Sequence, residues 1–316
     1  MSESLATQSS VRPVRMEVCD VGPRDGLQGL ARFVPTARKI RLIEDLADAG
    51  LRSIEVASFV SANAIPQMRD GAEVLGGLRR RPEVTLAAFI PNLRGLEDAA
   101  RLHVDRVTIA TYASEEFSKR NVNATVAEAN ERMRAIARAA EQGGIAARGY
   151  VSCAIDCPFT GPVAPARVAE LAEQVLDAGC AEVFLADTTG RGTTASVARL
   201  VDCVLERVPA ARLGVHFHDT FGQGLANVAT CIERGIRRID ASIAGLGGCP
   251  TARGAAGNVA TEDVLLLLEG LGIDAGIDVA RVAAIGAELC DDLGIRNDSK
   301  AGRALASRAD ESRRVV

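Results

Sequence analysis

Short apolar runs rich in β-branched residues alternate along the chain with longer stretches of helical periodicity, from residue 16 onward. Glycine, proline, serine or aspartate separates one stretch from the next, as expected of connecting turns. Eight of the short runs have the length and composition of strands, and a helical stretch follows each one. The predicted strands are 16–20, 52–57, 84–90, 106–110, 147–152, 182–186, 212–217 and 238–242.

This alternation predicts right-handed βαβ crossovers and a parallel sheet. Eight such units within 316 residues match the requirement of a closed (β/α)8 TIM barrel, which belongs to the α/β class. An open doubly wound sheet is the alternative. Its first turn usually carries a glycine-rich phosphate loop, whereas residues 21–26 here read V-G-P-R-D-G. The pattern therefore favours the barrel.

The barrel domain is predicted to span residues 15–295 and to include an additional C-terminal amphipathic helix at 279–293. Residues 1–14 are polar and are predicted to form a disordered tail. Residues 296–316 are rich in arginine and serine, and we expect them to be frayed.

Composition narrows the classes of function. A net charge of -4 argues against sequence-independent binding of nucleic acid. No apolar stretch has the length that crosses a bilayer, and the polar first residues do not resemble a secretion signal. The eight cysteines include no C-x-x-C pair, which favours reduced thiols. We therefore expect a cytoplasmic protein that binds neither nucleic acid nor membrane.

Two of the three histidines, His216 and His218, stand one residue apart at the end of the seventh predicted strand. Residues i and i+2 of a strand face the same side, so both imidazoles can reach one ion. Closure of a barrel makes strands seven, eight and one neighbours, which brings Asp25 and Asn258 to the same end. Two imidazoles, a carboxylate and an amide oxygen suit Mg²⁺ or Mn²⁺, or Zn²⁺ with open positions. The sequence predicts a divalent-cation site.

These residues also have structural interpretations. The histidine pair could lie at a solvated strand end, and a lone Asn258 would more commonly cap a helix at 259–268. Glu55 lies inside the second predicted strand and Asp187 follows the sixth. Either carboxylate could take part in catalysis or could hold Arg24 or a histidine in place.

The loop at 245–257 contains many glycines and is predicted to be a mobile lid. Cys249 lies in this loop, where its thiol could be inert or could carry a proton to a substrate. A lysine Schiff base is disfavoured because Lys39, Lys119 and Lys300 all lie away from the predicted strand ends.

Longer motifs carry a resemblance to a known family. They are VGPRDGLQ at 21–28, HFHDT at 216–220 and GGCP at 247–250, with further agreement at 58–61, 65–68, 148–153 and 257–263. Long motifs in one order are far more specific than a single short pattern. Over roughly residues 15–295 the chain resembles the hydroxymethylglutaryl-CoA lyases, which are metal-dependent TIM-barrel enzymes.

The resemblance implies cleavage of the acyl-CoA substrate 3-hydroxy-3-methylglutaryl-CoA to acetyl-CoA and acetoacetate, a step of leucine degradation and ketone-body metabolism, by a homodimer. It places Asp25, His216, His218 and Asn258 on the cation, Arg24 and Gln28 on the substrate, and Arg24, Asp25, His216, Glu55, Asp187 and Cys249 in catalysis. Glu262 matches a further acidic position of the family.

Some positions depart from the family pattern. Gly29 and Leu30 replace the usual Asn-Glu, and Asn63, Ala64 and Asp156 also differ. We expect these departures to shape a different acyl pocket. A lyase for a longer-branched 3-hydroxyglutaryl-CoA and a Claisen-type synthase are the alternative enzymes. A catalytically silent, ligand-binding barrel is the third class.

Overall fold

The structure is a computed structural model that describes residues 16–248 and 257–314, with side chains as far as residue 308. Its parallel strands close into a barrel in the order β1-β8-β7-β6-β5-β4-β3-β2. The strands are β1 Glu17–Asp20, β2 Ser53–Ser58, β3 Thr85–Phe89, β4 Arg106–Tyr112, β5 Ala146–Ser152, β6 Glu182–Asp187, β7 Leu213–Phe217 and β8 Arg238–Ala241. The predicted TIM barrel is confirmed, and the open sheet is excluded.

Helices surround this barrel. They are α1 Thr36–Asp48, α2 Gly71–Gly77, α3 Leu93–Arg101, α4 Glu115–Val122, α5 Val126–Gln142, α6 Pro165–Asp177, α7 Thr194–Leu205, α8 Gly224–Glu233, α9 Thr261–Gly270, α10 Val279–Leu293 and α11 Lys300–Arg314. A short hairpin, Asp156–Cys157 with Gly161–Pro162, follows β5. Within the described ranges, no helix is long and apolar enough to cross a membrane.

Local sequence explains how these helices form and pack. Thr125 and Glu128 form a reciprocal capping box at the start of α5, which satisfies backbone donors that would otherwise be orphaned. Helix α6 buries Val168, Leu171 and Val175, whose spacing forms one apolar stripe facing the barrel. A Cβ atom at Gly149 of β5 would lie 2.3 Å from Val175 Cγ1, so glycine lets helix and strand approach closely.

The C-terminal prediction was partly wrong. Helix α10 lies where the amphipathic pattern predicted it, but residues 300–314 form α11 instead of a frayed tail. The Asp263 carboxylate accepts hydrogen bonds from Ser299 Oγ at 2.9 Å and from the Ala301 amide at 2.7 Å. This carboxylate therefore caps α11 from a distant part of the chain. The predicted tail at 1–14 lies outside the described residues.

The lower part of the barrel interior holds a buried ionic layer. The Arg148 guanidinium of β5 bonds to Asp240 at 3.1 Å, Glu182 at 3.0 Å and Glu17 at 3.1 Å. A buried cation with three carboxylate partners is tolerated because its hydrogen-bonding capacity is satisfied. Tyr150 follows two residues along β5 and faces the same interior, one layer nearer the carboxyl ends of the strands.

Candidate metal centre and active site

A π-helical turn at Gly22–Gly26 follows β1 and presents Arg24 and Asp25 at the barrel mouth. Both side chains are buried, with 8% of each residue exposed. A Cβ atom at Gly22 would lie 2.6 Å from Ile243 Cγ2, so the turn requires glycine there. Single π-helical turns recur at functional sites, and this one carries both charged residues of the first motif.

Arg24 is locked between two carboxylates. Its guanidinium bonds to Glu55 and, at 2.7 Å, to Asp25 Oδ1, while Thr108 also donates to Glu55. Burial alone would lower the pKa of Arg24, but the charges of Glu55 and Asp25 outweigh it and raise that pKa. Of the two roles left open for Glu55, the contacts favour holding Arg24 in place.

Asp25 and the two histidines converge as barrel closure predicts. Candidate ligand atoms of Asp25, His216 and His218 all lie within 4.8 Å of one another. His216 Nε2 lies 4.0 Å from Asp25 Oδ2. Burial alone would raise the pKa of Asp25, but the charges of Arg24 and both histidines lower it. The carboxylate is therefore held in the ionised form that binds a cation.

The backbone around Asn258 pairs with the end of β7. The Val259 amide donates to the Phe217 carbonyl at 2.9 Å, and the Asp219 amide donates to the Gly257 carbonyl at 3.0 Å. Helix α9 begins later, at Thr261, with residue 260 at its N-cap. The interpretation of Asn258 as a helix cap at 259–268 is therefore wrong.

The Asn258 side chain instead faces the histidine–carboxylate cluster. Its Nδ2 donates to Asp25 Oδ2 at 2.8 Å and to the Leu246 carbonyl at 3.1 Å. Its Oδ1 is buried and meets no donor among the residues that the structure describes. A buried acceptor left without a donor calls for an explanation. A cation beside Asp25 would satisfy it.

The glycines at the base of the predicted lid permit this arrangement. A Cβ atom at Gly257 would lie 1.7 Å from the Gly245 carbonyl oxygen, and one at Gly247 would lie 2.5 Å from Asn258 Nδ2. Larger residues at these positions would therefore displace the Asn258 segment. Cys249 and the middle of the loop, residues 249–256, lie outside the described residues.

Three other predicted residues have distinct surroundings. Gln28 donates to Asp25 Oδ1 at 2.7 Å, at the edge of the site. The Asp187 carboxylate accepts from the Gly192 amide at 2.7 Å, and burial raises its pKa to about 6. Glu262 accepts from the Ala244 amide at 3.0 Å, and burial raises its pKa to about 8. Asp187 and Glu262 thus fix loops, and the cluster of ligand atoms does not include them.

Asp240 and Tyr150 were not predicted from the sequence. Asp240 Oδ2 lies 3.2 Å from His216 Nδ1 and accepts a hydrogen bond from the Tyr150 hydroxyl at 2.6 Å. Burial alone would lower the pKa of His216, but Asp240 and Asp25 raise it. Inward-facing polar residues at alternate positions of the fifth and eighth strands were the signal that could have found them.

A cavity of about 470 Å³ opens onto the centre. Its lining includes the residues of the cluster and their neighbours, namely Arg24, Asp25, Gln28, Tyr150, His216 and His218. Apolar side chains from β4, α4, α5 and their surroundings also line it, beside the polar Arg120, Asn121 and Arg132; the apolar ones include Ile90, Ile109, Phe117, Val122, Met133 and Ile136. Of the residues that depart from the family pattern, Ala64 lines this cavity. The site can therefore hold a polar reacting group beside an apolar substituent.

Comparisons with known proteins agree with this site. The HMGL-like family model matches residues 15–288. A relative from Pseudomonas aeruginosa, named 3-hydroxy-3-isohexenylglutaryl-CoA/hydroxy-methylglutaryl-CoA lyase, is 47% identical over 297 residues, which cover 94% of this chain and 99% of the relative.

Solved structures give the same result. The crystal structure of hydroxymethylglutaryl-CoA lyase from Pseudomonas aeruginosa matches with a TM-score of 0.91 at 47% identity, covering 94% of this chain and 99% of that one. The structure of an HMG-CoA lyase from Acinetobacter baumannii in complex with coenzyme A and 3-methylmalate matches with a TM-score of 0.88 at 38% identity, covering 92% and 95%. With its barrel, its motifs and the family model in agreement over most of its length, the chain belongs to the HMGL-like family.

Proposed function

We propose that this chain is a divalent-cation-dependent carbon–carbon lyase that cleaves 3-hydroxy-3-methylglutaryl-CoA into acetyl-CoA and acetoacetate. One observation carries the proposal. Candidate ligand atoms of Asp25, His216 and His218 cluster next to the Arg24 guanidinium and near Asn258, whose buried Oδ1 meets no donor in the described part of the chain. A cation at this point could act on the substrate hydroxyl, while the fixed guanidinium could stabilise the thioester enolate that departs.

The donor set fits a cation. Asp25 and Asn258 supply hard oxygen atoms, and His216 and His218 supply imidazole nitrogens, a mixture that suits Mg²⁺ or Mn²⁺. We infer that these four residues hold the ion. When bound, a divalent cation lowers the pKa of a coordinated hydroxyl group and orients the substrate that carries it.

The chain's own residues supply the rest of the chemistry. The substrate hydroxyl on C3 loses its proton, the C2–C3 bond breaks, and the C3–O bond becomes the ketone of acetoacetate. The electron pair of the broken bond moves into the thioester, which leaves as an enolate. Arg24 stays charged and can stabilise the enolate oxygen, a contribution of about 3–4 kcal/mol for a preorganised donor.

Two proton transfers complete the reaction. Either His216 or Asp25 accepts the hydroxyl proton, although a metal-bound imidazole is a poor base. We propose that the Cys249 thiol returns a proton to the enolate carbon, as the family resemblance implies. Glu55 holds Arg24, and Gln28 steadies Asp25 at the substrate side of the cluster.

A lyase for a longer-branched 3-hydroxyglutaryl-CoA is the second candidate. Apolar side chains in the cavity lining, such as Ile109 and Met133, support it because they could contact a longer apolar branch. The name of the Pseudomonas relative includes such a substrate. The synthase alternative is weaker because Leu27, where those enzymes carry an acid, is fully buried in the apolar core.

We also propose a cytoplasmic location and a homodimeric state. The cytoplasmic location rests on the cysteine pattern of the sequence, which includes no C-x-x-C pair. The dimer rests on the family resemblance. Sedimentation of the purified protein and fractionation of the source cells test these proposals separately.

The main experiment measures release of acetoacetate from 3-hydroxy-3-methylglutaryl-CoA. We expect activity with Mg²⁺ or Mn²⁺, loss of activity after exhaustive chelation, and recovery on adding the cation back. His216→Asn should abolish turnover, whereas His103→Asn should not, because His103 is exposed on the loop before β4. Full turnover without metal would reject the metal role. Tight CoA-ester binding without products would indicate a silent barrel.

A further inference from the structure

We propose that Asp240 is a positioning residue that sets the tautomer of His216, so that Nδ1 carries the proton and Nε2 faces the cation. The inference rests on the proposed function, because it concerns how the chain prepares one ligand of the metal centre. Asp240 lies inside β8, and none of the motifs that carry the family resemblance contains it.

The register of the barrel places Asp240 beside His216. The two residues are Cα partners across the parallel pair of β8 and β7, so both side chains point into the barrel. Asp240 Oδ2 lies 3.2 Å from His216 Nδ1, while His216 Nε2 lies 4.0 Å from Asp25 Oδ2. One ring nitrogen therefore faces Asp240, and the other faces the cluster of candidate ligands.

The Asp240 carboxylate is itself held from two sides. Arg148 donates to its Oδ1 at 3.1 Å, and the Tyr150 hydroxyl donates to its Oδ2 at 2.6 Å. The Tyr150 ring also packs edge-on against the His216 ring, with centroids 5.7 Å apart. Neither Asp240 nor His216 is free to turn.

These contacts favour one tautomer. Asp240 Oδ2 accepts from the Tyr150 hydroxyl and lies beside His216 Nδ1, so a neutral imidazole bonds to this acceptor by placing its single N–H on Nδ1. The lone pair then lies on Nε2, where a cation can use it. Carboxylate partners of metal-binding histidines fix ring orientation and raise ligand basicity, and their loss typically lowers metal affinity by about 10–100-fold.

Asp240→Asn gives a sharp test because Arg148 determines how the new amide must lie. The amide oxygen is expected to face Arg148, which leaves the amide NH₂ at the place of Oδ2. It then donates to His216 Nδ1 and moves the imidazole proton to Nε2, the nitrogen that faces the metal centre. Amide replacement of a buried histidine-orienting aspartate has this effect on a catalytic histidine in serine proteases.

Glu182→Gln is the matched control. Glu182 belongs to the same buried ionic layer, with bonds to Arg148 at 3.0 Å and to Arg238 at 2.8 Å. No described contact joins it to His216, so its loss weakens the layer without touching the imidazole. A merely structural role for Asp240 predicts that both variants affect metal binding equally.

Two measurements that need no turnover decide the question. Electron paramagnetic resonance of free Mn²⁺ gives the dissociation constant for each protein. ¹⁵N NMR of the histidines, in metal-free protein at alkaline pH where the imidazoles are neutral, reports which nitrogen carries the proton. The three histidines make the spectrum assignable with one substitution for each.

We expect Asp240→Asn to weaken Mn²⁺ binding by about 10–100-fold and to move the His216 proton to Nε2, while Glu182→Gln changes neither. Unchanged Mn²⁺ affinity in Asp240→Asn, equal loss in both variants, or a wild-type proton on Nε2 would overturn the proposal. The wild-type tautomer decides even if Asp240→Asn does not fold. Failure of the wild-type protein to bind Mn²⁺ would instead refute the proposed metal centre.

Discussion

Replacing Arg24 by methionine removes the guanidinium but keeps much of the aliphatic volume of the side chain. In the structure this guanidinium contacts Asp25 and Glu55 and faces the cavity. Two separate effects follow from its loss. The enolate oxygen loses its stabilising donor, and Glu55 loses its cationic partner in a place where only 1% of the residue is exposed.

Each of the two effects has an expected free-energy cost. Loss of a preorganised donor costs about 3–4 kcal/mol in the transition state, which is about 10²–10³ in kcat. Breaking a buried ion pair by removing one partner costs about 3–5 kcal/mol of stability while the remaining group stays charged. After loss of Arg24, the Thr108 hydroxyl would still donate a hydrogen bond to Glu55. Burial already raises the pKa of Glu55, and without Arg24 that pKa should rise further.

A double variant separates the two effects. Arg24→Met with Glu55→Gln removes the buried charge as well as the guanidinium, so it should recover stability without recovering turnover. The single variant should be less destabilised at acidic pH, where Glu55 is protonated, than at alkaline pH. Chemical denaturation measures stability, acetoacetate release measures kcat and KM, and Mn²⁺ titration shows that the metal site remains.

Turnover of a folded, metal-loaded Arg24→Met enzyme close to that of the wild-type protein would refute the role of Arg24 at the enolate. Recovery of activity in the double variant would show that the loss in the single variant came from misplacing Glu55. Loss of Mn²⁺ binding together with activity would place Arg24 among the supports of the metal centre instead.

Further predictions concern the cation, the proton donor and pH. Asn258→Ala should lower Mn²⁺ affinity by at least about tenfold, since loss of even an outer partner of a ligand typically costs about 10–100-fold; unchanged affinity in a titration would exclude the amide from the site. Cys249→Ser should lower kcat far more than it raises KM, since a hydroxyl is a weaker acid than a thiol; a change confined to KM would assign the thiol to binding. Burial raises the pKa of Glu262 from 4.5 to about 8, so the folded protein binds this proton more tightly than the unfolded chain. The resulting stability is present below pH 4.5 and lost as pH rises through 8. Glu262→Gln should therefore flatten the decline in unfolding free energy with rising pH by up to about 1.4 kcal/mol per pH unit; a decline as steep as in the wild-type protein would contradict this.

The sequence was most informative where local periodicity and barrel closure acted together. Alternation of apolar runs and helices located each strand to within two residues, because a parallel barrel buries its strands on both sides. Closure then placed Asp25 near His216 and His218, although they are distant in the chain. That prediction needed only the order of strands and the rule that sites form at their carboxyl ends.

The failures share a different cause, since each depends on contacts between distant segments. Asn258 looked like a helix cap because the sequence does not show that its backbone pairs with β7. Helix α11 was mistaken for a tail because Asp263, its cap, lies in α9. Asp240 was overlooked because a single acid within a short apolar strand has no local signature, and only the register beside His216 gives it a role.

The pairing of residues 257–259 with the end of β7 makes the position of Asn258 largely independent of the loop segment that precedes it. Backbone hydrogen bonds hold residues 257–259 against β7, and these bonds depend little on the side chains of the preceding segment. Changes of length or composition between residues 249 and 256 should therefore leave the Asn258 oxygen where it is. Variants of this segment should therefore keep the affinity of the wild-type protein for a divalent cation even where their turnover changes.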